Sequence, residues 1–239
     1  MKIELSKIEK KLFSGTRLDL AQGALIASGV KTQKELDSYL SKISMLCKHI
    51  EAETTGDYEL QKAKSLFDWL WQKKPNRSER QGSFKLTEVI DTQLDPDIEK
   101  VGNCLGLTVL YNVLAQSLGL EVKSIHVEDA FSKGPHVFST LYTAQGTIDI
   151  ENILSSGFDF KGHLHNPQRT EWDDAELIAD IYHSIGNQYF EQRDLENAMQ
   201  SYTKAIKLNP RYTKAYLNRA IALFLLGRDE EARQDFDHA

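Results

Sequence analysis

The chain has 239 residues, 41% of them hydrophobic and 27% charged, with three Trp, nine Tyr and ten Phe. That composition can bury a core and excludes wholesale disorder, and the length suits about one to two domains. A net charge of −6 argues against a nucleic-acid partner, which calls for a Lys/Arg surplus. No run reaches the roughly 18 apolar residues of a membrane span, so no membrane partner is expected. The opening stretch is interrupted by Lys2, Glu4, Lys7, Glu9, Lys10 and Lys11 and lacks an apolar segment of signal-peptide type. The two cysteines, Cys47 and Cys104, suggest neither a disulfide framework nor a zinc site. A soluble, reducing, cytoplasmic setting with no cofactor is the resulting expectation.

The first hundred residues predict a helical lead. Leu18, Ala21 and Leu25 suggest a helix ended near Gly29. Thr32-Gln33-Lys34-Glu35 is a capping box, in which hydroxyl and carboxylate satisfy orphan backbone donors at a helix start. Behind it Leu36, Leu40, Ile43, Cys47 and Ile50 recur on one helical face, which makes Cys47 a core residue. A second amphipathic run carries Leu60, Ala63, Phe67, Leu70 and Trp71, with Trp69 and Trp71 packing rather than binding a ligand. Residues 76–83 are polar and loop-like.

The pattern changes after Gly102. Residues 104–118 predict an apolar helix with Leu107, Leu110, Tyr111, Leu114 and Leu118 inward, closed by Gly119. Strands are expected over 120–127, 136–143 and 147–153, the last two joined by a Gln145-Gly146 turn. A helix followed by antiparallel strands is an α+β order. The alternation of the strand around His126 shifts near Ser124 and leaves its facing open. His163 and His165 lack a supporting ligand cluster and suggest a loop rather than a metal site. Residues 164–170, with Asn166-Pro167, suggest a linker.

From about residue 172 the chain is helical again and repeats itself. A shift of about 34 residues superposes Tyr182 on Tyr216, Gly186 on Ala220, Tyr189 on Leu223, Ala198 on Ala232, Tyr202 on Phe236 and Ala205 on Ala239. Small residues recur where two helices must approach and large ones where they fill the gap. This period and these residue types resemble the tetratricopeptide repeat, with one full copy ending at Asn209-Pro210 and one incomplete copy. The resemblance implies a concave groove that binds a protein or peptide. Asn187 and Asn218 resemble the asparagines that hold a peptide carboxylate in chaperone-adaptor repeats, with His183 where those adaptors usually carry lysine. A generic groove is the expectation over carboxylate capture.

Chemistry is suggested by three features in order: Gly102-Asn103-Cys104 opening a helix, Gly134-Pro135-His136 opening a strand, and Asp149 on the next strand. A cysteine at a helix N-terminus meets unpaired N–H groups and the positive end of the dipole, which stabilise thiolate. The same amides can donate to an oxyanion. A nearby histidine can take the thiol proton and later protonate a leaving amine, and a neighbouring acid can fix its tautomer. Alternation puts Thr147, Asp149 and Glu151 on one face, so parity does not choose between the two acids.

Gly102-Asn103-Cys104-Leu105-Gly106-Leu107 and the apolar helix behind it, Leu118-Gly119-Leu120, His136-Val137-Phe138 and Ile148-Asp149 resemble the transglutaminase-like superfamily. The upstream Asp19-Leu20-Ala21 and Ala24-Leu25-Ile26-Ala27 resemble the helical lead of a bacterial subgroup often joined to tetratricopeptide repeats. The resemblance implies a papain-like domain over 1–165 (lead 1–100, core 101–165), with repeats over 172–239. It implies Cys104 as nucleophile, His136 as general base and acid, and Asp149 as the orienting carboxylate. The expected function is a cysteine-dependent acyl-transfer or amide-cleaving protein, with no metal, whose repeats bind a protein or peptide. The alternative is a non-catalytic repeat scaffold with a vestigial triad.

Overall fold

The computed structural model describes residues 5–14, 19–53, 58–130 and 133–239. The chain begins with α1 (Glu9–Leu12), α2 (Leu20–Ala27), α3 (Gln33–Glu53), α4 (Glu59–Lys73) and α5 (Leu86–Leu94). Leu18 lies outside the described residues, but Ala21 and Leu25 fall on α2 and Leu25 is fully buried. The expected capping box opens α3, where Thr32 N–H donates to Glu35 Oε2 at 3.1 Å and Glu35 N–H to Thr32 Oγ1 at 3.2 Å. Leu36, Ile43 and Ile50 on its inner face are buried.

The centre of the molecule is α6 (Cys104–Ser117), whose residues 105–115 are all buried. A helix apolar all round must be covered on every side, and α6 is. On one side lie α3, α4 and α5; on the other lies the sheet. Gly119, at φ 79°, follows its C-terminal turn as the sequence predicts. The start of α6 is pressed against the loop before α5, where Asn103 N–H donates to Ser83 O at 3.0 Å. A Cβ on Gly106 would sit 2.4 Å from that same oxygen, so only glycine permits the approach.

Among the described residues four strands form one antiparallel sheet in the order β3-β2-β1-β4, from β1 (Val122–Val127), β2 (His136–Thr143), β3 (Gly146–Ile150) and β4 (Arg169–Trp172). The third strand thus ends earlier than the 147–153 expected. The fourth occupies part of the segment expected to be a linker. Buried side-chain hydrogen bonds stitch α6 to the sheet: Asn112 Nδ2 donates to Ser124 Oγ (2.9 Å) and Thr108 Oγ1 to Val137 O (3.2 Å). His126, open in the sequence, stacks on Trp172 of the neighbouring strand, centroids 4.1 Å apart and planes 5° from parallel.

Two helical hairpins follow: α7 (Asp174–Glu191) with α8 (Leu195–Leu208), and α9 (Thr213–Leu225) with α10 (Asp229–His238). Asp173 and Glu176 form a reciprocal capping box at the start of α7. One continuous core runs from Ile8 through α6 to Ala215 and includes Leu177, Ile178, Ile181 and Tyr182 of α7. The first hairpin is therefore seated on α2 through its own first helix. Tyr182 OH donates to Glu9 Oε1 at 3.2 Å, and Lys204 Nζ donates to the same oxygen at 2.9 Å. A smaller core of Ala198, Met199, Tyr202, Ala222, Leu223 and Ala232 holds the second hairpin on the first.

Candidate functional site

Two places gather polar groups. The first lies where α6 begins. Asn103 caps the helix, its Oδ1 accepting from Gly106 N–H at 3.1 Å. Cys104, half-buried, is the first helical residue. The amides of the first turn have no intrahelical acceptor, so the thiol sits at the positive end of a helix of 14 residues. His136, the first residue of β2, is 7% exposed and within hydrogen-bonding reach of Cys104.

The acid behind the ring is Glu151, where the resemblance implied Asp149. Glu151 Oε2 lies 2.7 Å from His136 Nε2, and the residue is fully buried. Asp149 points elsewhere: Arg169 Nη1 and Nη2 donate to its two carboxylate oxygens, each at 2.7 Å. The physical reason is that β3 ends at Ile150 and Glu151 starts a turn closed by its own N–H on Gly157 O at 2.8 Å. That turn carries Glu151 toward His136, while β4 brings Arg169 to Asp149.

Burial by itself pushes the His136 imidazolium down. Hydrogen bonds with Cys104 and Glu151, and their charges, outweigh it and raise the group to about 10. Burial pushes the Glu151 carboxyl up, and the bonds from His136, His163 and the Ile153 N–H, with the charge of His136, together outweigh it and hold the group below its usual range. A thiol, an imidazole and a carboxylate in line can hold a proton on the ring and a negative charge on sulfur.

His163 joins this cluster although its loop position gave no periodic signal of burial. It is 3% exposed, with Nε2 3.7 Å from Glu151 Oε2. Its ring stacks on Phe138 at 5.1 Å and meets Phe160 edge-on at 5.4 Å. His165, its partner in the sequence, is exposed. Arg169 and His163 were both beyond the reach of sequence patterning, since each is fixed by contacts distant along the chain.

The second place is the face shared by α7 and α9. Asn218 Nδ2 donates to Asn187 Oδ1 and to His183 Nε2, both at 3.0 Å. Tyr202 OH donates to Asn187 Oδ1 at 2.9 Å. Tyr212 OH donates to Asp180 Oδ1 at 2.6 Å and lies 3.2 Å from His183 Nδ1. Burial pushes the Asp180 carboxyl up, and the bonds from His183 and Tyr212 outweigh it, keeping the group below its usual range. Beside this network a cavity of about 150 Å³ is lined by Asn187, Phe190, Glu191, Tyr202, Asn218 and Ile221. Next to it α9 exposes Leu217, Ile221, Phe224 and Leu225.

Comparison with known proteins bears on this second place. The family described as TPR repeat matches residues 186–236. These residues are a tetratricopeptide-repeat segment. The chain is 45% identical over 58 residues to an uncharacterized protein of Methanocaldococcus jannaschii, covering 24% of this chain and 67% of that one. It is 39% identical over 69 residues to DnaJ homolog subfamily C member 7 of Mus musculus, covering 29% of this chain and 14% of the relative. It is 40% identical over 105 residues to Hsp70-Hsp90 organizing protein 1 of Glycine max, covering 44% of this chain and 18% of the relative. The chain thus spans less than a fifth of each of the last two. No solved structure matches it.

The tetratricopeptide hairpins follow the expected period. Gly186 lies under the ring of Tyr202, where a Cβ would meet Cε1 at 2.4 Å. Ala198, Ala205, Ala220 and Ala232 are all buried. Tyr202 is buried, whereas its counterpart Phe236 is 46% exposed, because no further helix covers α10 among the described residues. No helix of the described residues is long and apolar enough to cross a membrane.

Proposed function

We propose that this chain is a protein-binding protein whose tetratricopeptide groove takes a peptide segment through apolar side chains. The observation that carries this reading is the exposed stripe of Leu217, Ile221, Phe224 and Leu225 on α9 beside the Asn187–Asn218 cavity. Apolar anchors spaced along a helix, next to a pocket with a few polar groups, suit a peptide ligand. The polar network supports an apolar rather than a carboxylate-led contact. His183 has both ring nitrogens occupied, and Asn187 Oδ1 already accepts two bonds. The name of the soybean relative ties that protein to Hsp70 and Hsp90, which makes chaperone segments one class of partner to test. A peptide display library selected on the full chain should enrich apolar sequences, and Ile221→Asp should abolish the enrichment. Equal enrichment by the variant would refute the groove.

A second reading has its own support: Cys104 at the start of α6, in reach of His136, with Glu151 behind the ring. In this reading the core is papain-like and acts by acyl transfer. The thiolate adds to an amide carbonyl, and first-turn amides of α6 receive the oxyanion. The His136 imidazolium protonates the departing amine as the C–N bond breaks, leaving a thioester that water or an amine resolves. Cys104 in a Cys47→Ala background should be alkylated faster at neutral pH than a free thiol, and His136→Ala should slow it. An ordinary thiol indifferent to His136 would leave binding as the chain's function.

A further inference from the structure

We propose that His136, Glu151 and His163 form a divalent-cation site of the zinc class. It stands on the geometry of these three side chains and depends on neither reading of function above. Their ligand atoms all lie within 4.8 Å of one another. Both Nε2 atoms face one carboxylate oxygen, Glu151 Oε2, from 2.7 and 3.7 Å. Zinc bonds of about 2.0–2.1 Å in tetrahedral geometry set neighbouring donors about 3.3 Å apart. The two separations lie on either side of that value, each within about half an ångström of it, and the two histidine nitrogens stand within 4.8 Å of each other, so small side-chain shifts bring the three donors round an ion.

Burial favours a cation here rather than a solvated acid. The three residues are 7%, 0% and 3% exposed, respectively. They come from the start of β2, the turn after β3 and the loop before β4, elements held by sheet pairing and by the Glu151–Gly157 turn. The rings are fixed from behind, His163 by Phe138 and Phe160, and His136 by contact with Cys104. Ligand histidines are commonly oriented by such outer contacts. The other nearby carboxylate, Asp149, is already neutralised by Arg169, so the charge offered is one carboxylate with two neutral imidazoles. Binding replaces the proton shared by His136 and Glu151 with the ion, and that proton leaves to solvent. Three protein ligands leave a fourth position open to water.

The test uses the full chain, stripped with a chelator and titrated with Zn2+ and, separately, Co2+. One ion per chain and the strong visible bands of four-coordinate Co2+ are expected. His163→Ala should weaken zinc by more than about tenfold, the loss that even an outer-shell partner can cost. His165→Ala, an exposed neighbour, should bind as wild type does. Thermal unfolding of the stripped variants shows whether they fold. Should His163→Ala fail to fold, His163→Gln and the shift of the wild-type histidine Nε2 NMR signals on adding zinc replace it. Sub-stoichiometric ion, the spectrum of hydrated six-coordinate Co2+, or undiminished affinity in a folded His163 variant would overturn the proposal. The alkylation profile of Cys104 in the stripped protein is a separate measurement, so failure of the acyl-transfer reading cannot be mistaken for failure of this one.

Discussion

Replacing Glu151 by Gln keeps the shape of the side chain and removes its charge. Glu151 is fully buried and faces His136 Nε2 at 2.7 Å. The rise of the imidazolium from 6.5 to about 10 is worth roughly 5 kcal/mol at about 1.4 kcal/mol per pH unit. Cys104 and Glu151 share that gain, and it is already net of burial. Assigning about half to the Glu151 charge gives ~2 kcal/mol, which lowers the ring by about one to two pH units. The assay is the rate of Cys104 alkylation against pH in the Cys47→Ala background, where loss of the imidazolium appears as the upper inflection. Glu151→Gln should bring that inflection down by the stated amount, and Asp149→Asn should leave it in place. Movement with Asp149→Asn and none with Glu151→Gln would refute the assignment and restore the acid that the sequence implied.

Other consequences follow from the same contacts. Arg169→Met leaves the buried Asp149 carboxylate without its bidentate partner and should cost about 3–5 kcal/mol in urea unfolding. Gly186→Ala drives a methyl into the Tyr202 ring and should cost about 1–3 kcal/mol, read as a lower thermal midpoint. Because the fold raises His136, its contribution to stability is fully present below the ordinary value of 6.5 and is lost as the pH rises toward about 10. Unfolding midpoints across that window should fall more steeply for wild type than for His136→Gln.

How far the sequence reached can be seen residue by residue. The central helix α6, its cysteine and its closing Gly119 were legible because an apolar run with a capped start and a glycine stop is a local signal. The repeats were legible because a period of about 34 residues imposes small and large residues at fixed places. The acid that faces His136 was not. Alternation alone puts Asp149 and Glu151 on one face, and what separates them is the end of β3 at Ile150 and Arg169 on β4, paired to β1 across a long loop. Residues 164–170 read as a linker on Asn166-Pro167, and Arg169-Thr170-Glu171-Trp172 has no apolar alternation to mark the strand that begins there. His163 was hidden for the same reason, since its burial comes from Phe138 and Phe160 rather than from its neighbours in sequence. The seating of α7 on α2 also escaped pattern, being a contact between faces that each look like ordinary helix surface.

The most direct measurement is the affinity of a library-selected apolar peptide for the full chain, for Leu225→Asp and for Cys104→Ser, with the peptide analysed intact at the end. Binding through the groove predicts at least about tenfold weaker affinity for Leu225→Asp, since burying one apolar anchor is worth about 1.5–3 kcal/mol. It also predicts unchanged affinity for Cys104→Ser and a peptide recovered whole. A peptide bound equally by all three proteins, or cleaved by wild type and spared by Cys104→Ser, would contradict the account.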